Sequence, residues 1–341
     1  MSEIRNYFDL HTGILEVVVD QDVSYLREAT DLGSMLTAIN ASELSKRPII
    51  EMRLRALPDT CDLPSIGGER RKTHTGITVA SDSRRPDGPW VIIDDKVGLR
   101  LLDSGKCEIL ADTRSEETPS ALTNALIFAL SHTVTGLDGS LLHGACLLTP
   151  SRDGIVILQA PSGTGKTTTA MALALAGFAI AGDDTTCLIR ETEDNGSITA
   201  WGVPRAAKVH RKTVAMLPEL AELVCDTKWN GEGEQAVERY ALIEAGLGAV
   251  AERPLPIKAV ILLTKPESDA DIEPSLKTRF DALKKLLEDN LSAGAEGFFP
   301  THDDLFTTLS ELVAKVPTLR VPVNGPPKDV ASRIASTVAA L

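Results

Sequence analysis

The chain has 341 residues, 43% of them apolar and 24% charged, with a formal net charge of −13. That length accommodates two domains with a core each. The acidic balance excludes general binding to nucleic acid or to an anionic membrane surface, because phosphate groups would be repelled over most of the protein. No apolar run approaches the roughly 18 residues needed to span a bilayer. The opening MSEIRNYFDLHTG lacks the apolar stretch of a signal peptide, so a cytoplasmic location is expected. Cys61, Cys107, Cys146, Cys187 and Cys225 lie far apart with no CxxC pair. That is the pattern of free thiols in a reducing compartment rather than of disulfides or a metal cage.

In chain order, GILEVVV from Gly13 reads as a strand and PIIEMRLRAL (48–57) as another. LPSIGGERRKTHTGITVASDSRRP (63–86) is rich in Gly, Ser, Arg and Lys and reads as a mobile or edge region. GPWVIIDDKVGLRLLDSGKCEILA (88–111) reads as three short strands, with DD and DSGK as turns. TPSALTNALIFALSHTV (118–134) opens on a Thr-Pro-Ser start signal and carries a dense apolar face, which predicts a helix. Residues 1–135 therefore form a smaller α/β accessory domain, and 136–341 a second domain.

The second part opens with SLLHGACLLTP, SRDG and GIVILQA. The four-residue polar link is too short for a parallel crossover, so two strands that pair across it run antiparallel. TTTAMALALAG then reads as a helix closed by Gly177, and FAIAGDD as a strand ending in two carboxylates. Further on come a strand at PIKAVILLT (256–264), helices around RFDALKKLLEDN and DLFTTLSELVAKV, the strand LRVPV, and a helix in KDVASRIASTVAAL.

Between GIVIL and AMALALA stand Ala160, Pro161, Ser162, Gly163, Thr164, Gly165, Lys166, Thr167 and Thr168. This order fits the phosphate-binding P-loop. Its glycines let backbone N–H groups surround phosphate oxygens, Lys166 puts a charge on the β and γ phosphates, and the Thr167 hydroxyl suits Mg²⁺. A merely flexible Gly-Ser-Thr turn is the plain alternative, and the strand before and helix after argue against it. ATP and Mg²⁺ are the expected cofactors.

Asp183 and Asp184 end the following strand, 17 and 18 residues beyond Lys166. Such a pair permits one carboxylate on the metal and one accepting a proton from an attacking hydroxyl. A solvated turn or helix cap is the bland reading. His143 stands in an apolar strand, where a core role is commoner, but a hairpin would bring it beside the P-loop strand and within reach of the pair.

The order HGA, hairpin, SGTGKT, helix ending in Gly-Phe, then GDD resembles the C-terminal catalytic domain of HPr kinase/phosphorylase and its relatives. That fold is similar to phosphoenolpyruvate carboxykinase. The resemblance spans about Ser140 to Arg190, with weaker agreement in WGVPRAAKVH and PLPIKAVILL. It implies a mixed-sheet α/β P-loop domain in which Lys166 holds phosphates and Thr167 and Asp184 take Mg²⁺. Asp183 would act as base and His143 would support it; a homo-oligomer is also implied. Two family segments are absent: AKVHRKT stands where Glu-Ile-Arg-Gly is expected, and VNGPPKD near the place of Arg-Pro-Gly-Arg. Both bear on the acceptor and on phosphorolysis, and leave ATP binding intact.

The expectation is an ATP- and Mg²⁺-dependent kinase acting on a hydroxyl, either a Ser of a protein or peptide or a small hydroxylated metabolite. The alternative is an ATP-binding regulatory module without phosphotransfer. Lys208, His210, Arg211 and Lys212 form a basic cluster that suits a phosphate clamp or a solvated helix face. Trp201 and Trp229 read as packing residues before pocket aromatics. TKWNGEGEQAVERY (227–240) suits a lid or an ordinary loop, and Asp303 or Asp304 in THDDLF reads as an N-cap.

Overall fold

The computed structural model describes residues 3–20, 37–40, 44, 47–58, 60–66, 70–72, 78–82, 85–161, 163–191, 197–203, 206–268, 273–290 and 302–341. The chain divides into two compact units, the first running to Ser140 and the second comprising Leu141–Asn290 and Leu305–Leu341. Both are α/β with mixed sheets and no closed barrel among the described residues. No described helix is long and apolar enough to cross a membrane.

The first unit contains strands β1 (Glu3–Asp9), β2 (Ile14–Asp20), β3 (Thr37–Ile39), β4 (Ile49–Ala56), β5 (Arg70–Lys72), β6 (Thr78–Asp82), β7 (Trp90–Ile93), β8 (Val97–Leu101) and β9 (Cys107–Ala111), then helix α1 (Thr118–Thr135). They form one sheet in the order β3-β1-β2-β4-β9-β8-β7-β6-β5. The pairs β2–β4 and β4–β9 are parallel. The strands expected from Gly13, in 48–57 and in 88–111 are present, as β2, β4 and β7 to β9. Within 63–86, Arg70–Lys72 and Thr78–Asp82 form β5 and β6 at one end of the sheet, 63–66 and 85–86 are irregular, and the other residues lie outside the described set. β1 was not legible as a strand, because its alternation is half polar. It is secured by an antiparallel register on β2, in which Arg5 reaches Glu16 at 2.6 Å. Thr118 begins α1 itself, its hydroxyl donating to the Asp112 carbonyl. Leu122, Ala125, Leu126, Ala129 and Leu130 form the helix's buried face, the spacing of an amphipathic helix on a core.

The chain enters the second unit within β10 (Gly139–His143), followed by β11 (Ala145–Leu148), β12 (Ile155–Gln159), helix α2 (Lys166–Leu175), β13 (Ala179–Gly182), β14 (Thr185–Arg190) and β15 (Ile198–Gly202). Then come β16 (Ala207–His210), α3 (Arg211–Met216), β17 (Glu234–Val237), α4 (Arg239–Glu244), β18 (Leu255–Thr264), β19 (Ser275–Leu276), α5 (Arg279–Asn290), α6 (His302–Lys315), β20 (Thr318–Pro322) and α7 (Pro327–Ala339). The main sheet runs β10-β14-β15-β18-β12-β11-β13, with β20 on β18 and β19 on β20, while β16 and β17 make a separate ribbon.

The expected antiparallel hairpin is β11–β12, and β12 has the parallel strand β18 on its other side. The arm SLLHGACLLTP, however, is two strands rather than one. The chain turns at Gly144, whose N–H donates to the Asp184 carbonyl at 3.1 Å. A Cβ there would lie 3.0 Å from the Leu158 carbonyl oxygen. β10 therefore pairs with β14, and only β11 pairs with β12. Val156 and Leu158 pack with α2 and α7 on one face, while Ile155 and Ile157 pack with α5 and α6 on the other. This puts helices on both sides of the sheet, burying β12 completely. α6 starts at His302, so Asp303 and Asp304 lie inside its first turn and are not caps.

Candidate functional site

β12 hands over to α2 through a tight loop. The Thr164 N–H donates to the Pro161 carbonyl at 3.1 Å, and Gly163 and Gly165 take φ of +74° and +105°. At Gly163 a Cβ would meet nothing within 4 Å, so it is the left-handed backbone that requires glycine there. Ala160 is buried beneath the loop, and Ser162 lies outside the described residues. No side chain caps α2. Its first-turn N–H groups, which have no acceptor within the helix, thus form a positive end suited to an anion.

Lys166 turns back from the first position of α2 and is nearly buried, at 9% exposure. Its Nζ donates to Asp184 Oδ1 at 2.5 Å and lies 3.1 Å from His143 Nε2. The Thr167 hydroxyl donates to Asp183 Oδ2 at 3.1 Å, and Thr168 Oγ1 lies 2.7 Å from Thr213 Oγ1 on α3. Asp183 is 1% exposed, and its Oδ1 is buried with no hydrogen-bond partner. Burial first, and then the Asp184 charge, push its carboxyl up to about 7, against the pull of Lys166, the Thr167 hydroxyl and the Lys208 backbone. The Asp184 side chain keeps about a third of its surface open, at 35%.

Lys166 thus meets both Asp184 and His143, and Thr167 meets Asp183. The route for His143 differs: it sits at the end of β10, not in the hairpin, and its ring reaches Lys166. Asn290, at the end of α5, fixes that segment by accepting the His143 backbone N–H at 2.7 Å. Asn290 and Thr213 were missed by sequence reasoning. They lie 147 and 45 residues from their partners, and no local pattern marks them.

Lys208 and His210 project from the exposed side of β16, while Ala207 and Val209 enter the core. His210 pairs with Glu234 at 2.9 Å, and the Arg211 guanidinium lies 5.2 Å from the Trp229 ring centroid. Trp201 is buried at 4% exposure, in keeping with packing. Residues 227–240 form a short turn, β17 and the start of α4.

No protein-family model matches the chain, and no curated protein matches it. What the site can do follows from its own geometry. Among the described residues no three His, Cys, Asp or Glu side chains gather into a self-sufficient metal cage. Thr167 and Asp183 do supply two hard oxygen donors side by side, a partial set of the kind Mg²⁺ takes when substrate phosphates and water complete its shell.

Proposed function

We propose that the second unit is an ATP- and Mg²⁺-dependent kinase, similar in fold to the HPr-kinase and phosphoenolpyruvate-carboxykinase group, that transfers the γ-phosphate to a hydroxyl. The observation that carries this reading is the meeting of Lys166, Asp184 and His143 at the open end of an uncapped helix, with Asp183 and Thr167 paired beside them. The helix start and the Lys166 ammonium suit a polyphosphate. The orphaned Asp183 Oδ1 and the Thr167 hydroxyl suit Mg²⁺. When bound, the ion neutralises charge on the phosphates.

The contacts favour a division of labour opposite to the one the resemblance implies. Thr167 lies on Asp183, the buried carboxylate, so this pair holds the metal. Asp184 is the more exposed, and an acceptor hydroxyl can reach it. It therefore takes the acceptor proton, with Lys166 and His143 around it. The remaining catalysis is positioning and charge stabilisation by Lys166 and the loop amides.

Titration calorimetry on the full chain tests the reading. Wild type should take up MgATP, and Lys166→Met should bind it about ten- to a hundred-fold more weakly, the worth of a lost charged hydrogen bond. Incubation with γ-labelled ATP and a cell extract should then give a labelled acceptor. Saturable binding without a labelled acceptor would favour the regulatory module, and no uptake by folded protein would sink both.

A further inference from the structure

The ammonium of Lys166 is nearly buried and needs an anion beside it whether or not a ligand is bound. In the structure that anion is Asp184, whose Oδ1 accepts from Lys166 Nζ at 2.5 Å. The second contact of Nζ is His143 Nε2 at 3.1 Å. An ammonium donates hydrogen bonds and accepts none, so the ring nitrogen is the acceptor there and the imidazole is neutral. Asn290 accepts the His143 backbone N–H at 2.7 Å, which keeps that end of β10 in place.

Of the three N–H donors of a lysine, two are thus spent inside the protein. A lysine at this position of a phosphate loop serves the β and γ phosphates together, which calls for two donors. One internal contact has to give way. The neutral ring is no counter-charge, and it sits on a braced strand end. A phosphate replaces the Asp184 contact like for like, anion for anion. Low exposure strengthens either ion pair, so the two compete on close terms. The same contact bears on Asp184, whose side chain is 35% open and within reach of an acceptor hydroxyl. An ammonium held against its oxygen competes with the hydroxyl hydrogen for that oxygen.

We infer that Asp184 is an internal competitor of the nucleotide. In the nucleotide-free protein its carboxylate stands in for the phosphates on Lys166. MgATP breaks the Lys166–Asp184 ion pair, replaces it with a Lys166–phosphate pair, and hands Asp184 to the acceptor. Nucleotide therefore binds before acceptor. This rests on the kinase reading above, and it keeps Asp184 off the metal, which belongs to Asp183 and Thr167.

Calorimetry with MgATP on full-length wild type, Asp184→Asn, Lys166→Met and the double variant tests the exchange. Asp184→Asn should bind MgATP about ten-fold more tightly than wild type, the worth of one charged contact that no longer has to be broken. Part of any gain is the plain removal of a negative charge near a polyanion, and that part survives without Lys166. In the Lys166→Met background the same substitution should therefore change affinity by less than about three-fold, and the cycle isolates the exchange. Circular dichroism reports that each variant is folded. A wild-type structure with a non-hydrolysable Mg-nucleotide puts the same question without a substitution. Lys166 Nζ should then lie on phosphate oxygens and beyond about 4 Å, the reach of an ion pair, from Asp184. The inference is overturned if Asp184→Asn weakens MgATP binding, which would make Asp184 a metal ligand. It is equally overturned if the substitution acts alike in both backgrounds, or if the ion pair persists in the nucleotide complex. Each of these outcomes leaves MgATP uptake, and with it the kinase reading, standing. No uptake by folded wild type would remove that reading and the inference together.

Discussion

Asp183 concentrates the chemistry of the site in one side chain. It is shut from solvent, one of its oxygens has no donor, and a second carboxylate follows it in sequence. Such an arrangement costs stability and is retained where a ligand is to be bound. Asp183→Asn keeps the shape and removes the charge. At pH 8 the nucleotide- and metal-free variant should melt about 2–4 °C higher than wild type, the equivalent of roughly 1 kcal/mol in a domain this size. On the kinase reading proposed above, the variant also loses phosphotransfer. A lower melting point would show that Asp183 is a structural anchor instead. At this scale the residue types were legible: Lys166, Thr167 and the two aspartates were named from spacing alone. Which aspartate meets which partner was not, because neighbours in sequence sit in very different surroundings, one enclosed and one a third open.

The β11–β12 hairpin was readable because its link is four polar residues long. Its turn is tied by Asp153, which accepts from the Ser151 hydroxyl at 2.5 Å, the Thr149 hydroxyl at 3.0 Å and Lys258 at 3.3 Å. Those hydrogen bonds, the hydroxyls first and then Lys258, pull its carboxyl from 3.8 down to about 2. A group depressed in the folded state stabilises above its ordinary pKa, and that contribution fades as pH falls through the folded value. Asp153→Asn should therefore lower the melting temperature by roughly 1–3 °C at pH 7, a modest effect because the site is exposed. The difference between variant and wild type should shrink below about pH 4, be small near pH 2 and vanish only below the folded value. A pH-independent difference would mean the turn depends on shape and not on charge. The break between β10 and β11 was not readable. Gly144 turns the chain because of a carbonyl from β12 and a contact to Asp184, both distant in sequence.

Across the whole molecule, each unit buries thiols in its own core. Cys107, Cys146 and Cys187 are enclosed, whereas Cys61 and Cys225 are exposed. Burial pushes the thiols of Cys107 and Cys146 up to about 12 and that of Cys187 higher still, so none of the three forms thiolate near neutrality. A thiol-reactive chromophore at pH 8 should label two sites quickly in the native protein and five after denaturation. Rapid native labelling of a third would contradict the packing. The two-unit α/β organisation and the order of most elements follow from local pattern: alternation, glycine punctuation and the phosphate-loop signature are properties of neighbouring residues. So is the left-handed, glycine-bearing loop before Lys166. The ring of His143 on Lys166, the pairing of Thr167 with Asp183 and the Asn290 brace were decided only when the sheet closed. Each depends on strands and helices far apart in the chain meeting at one edge, and on which polar atoms that closure cuts off from water.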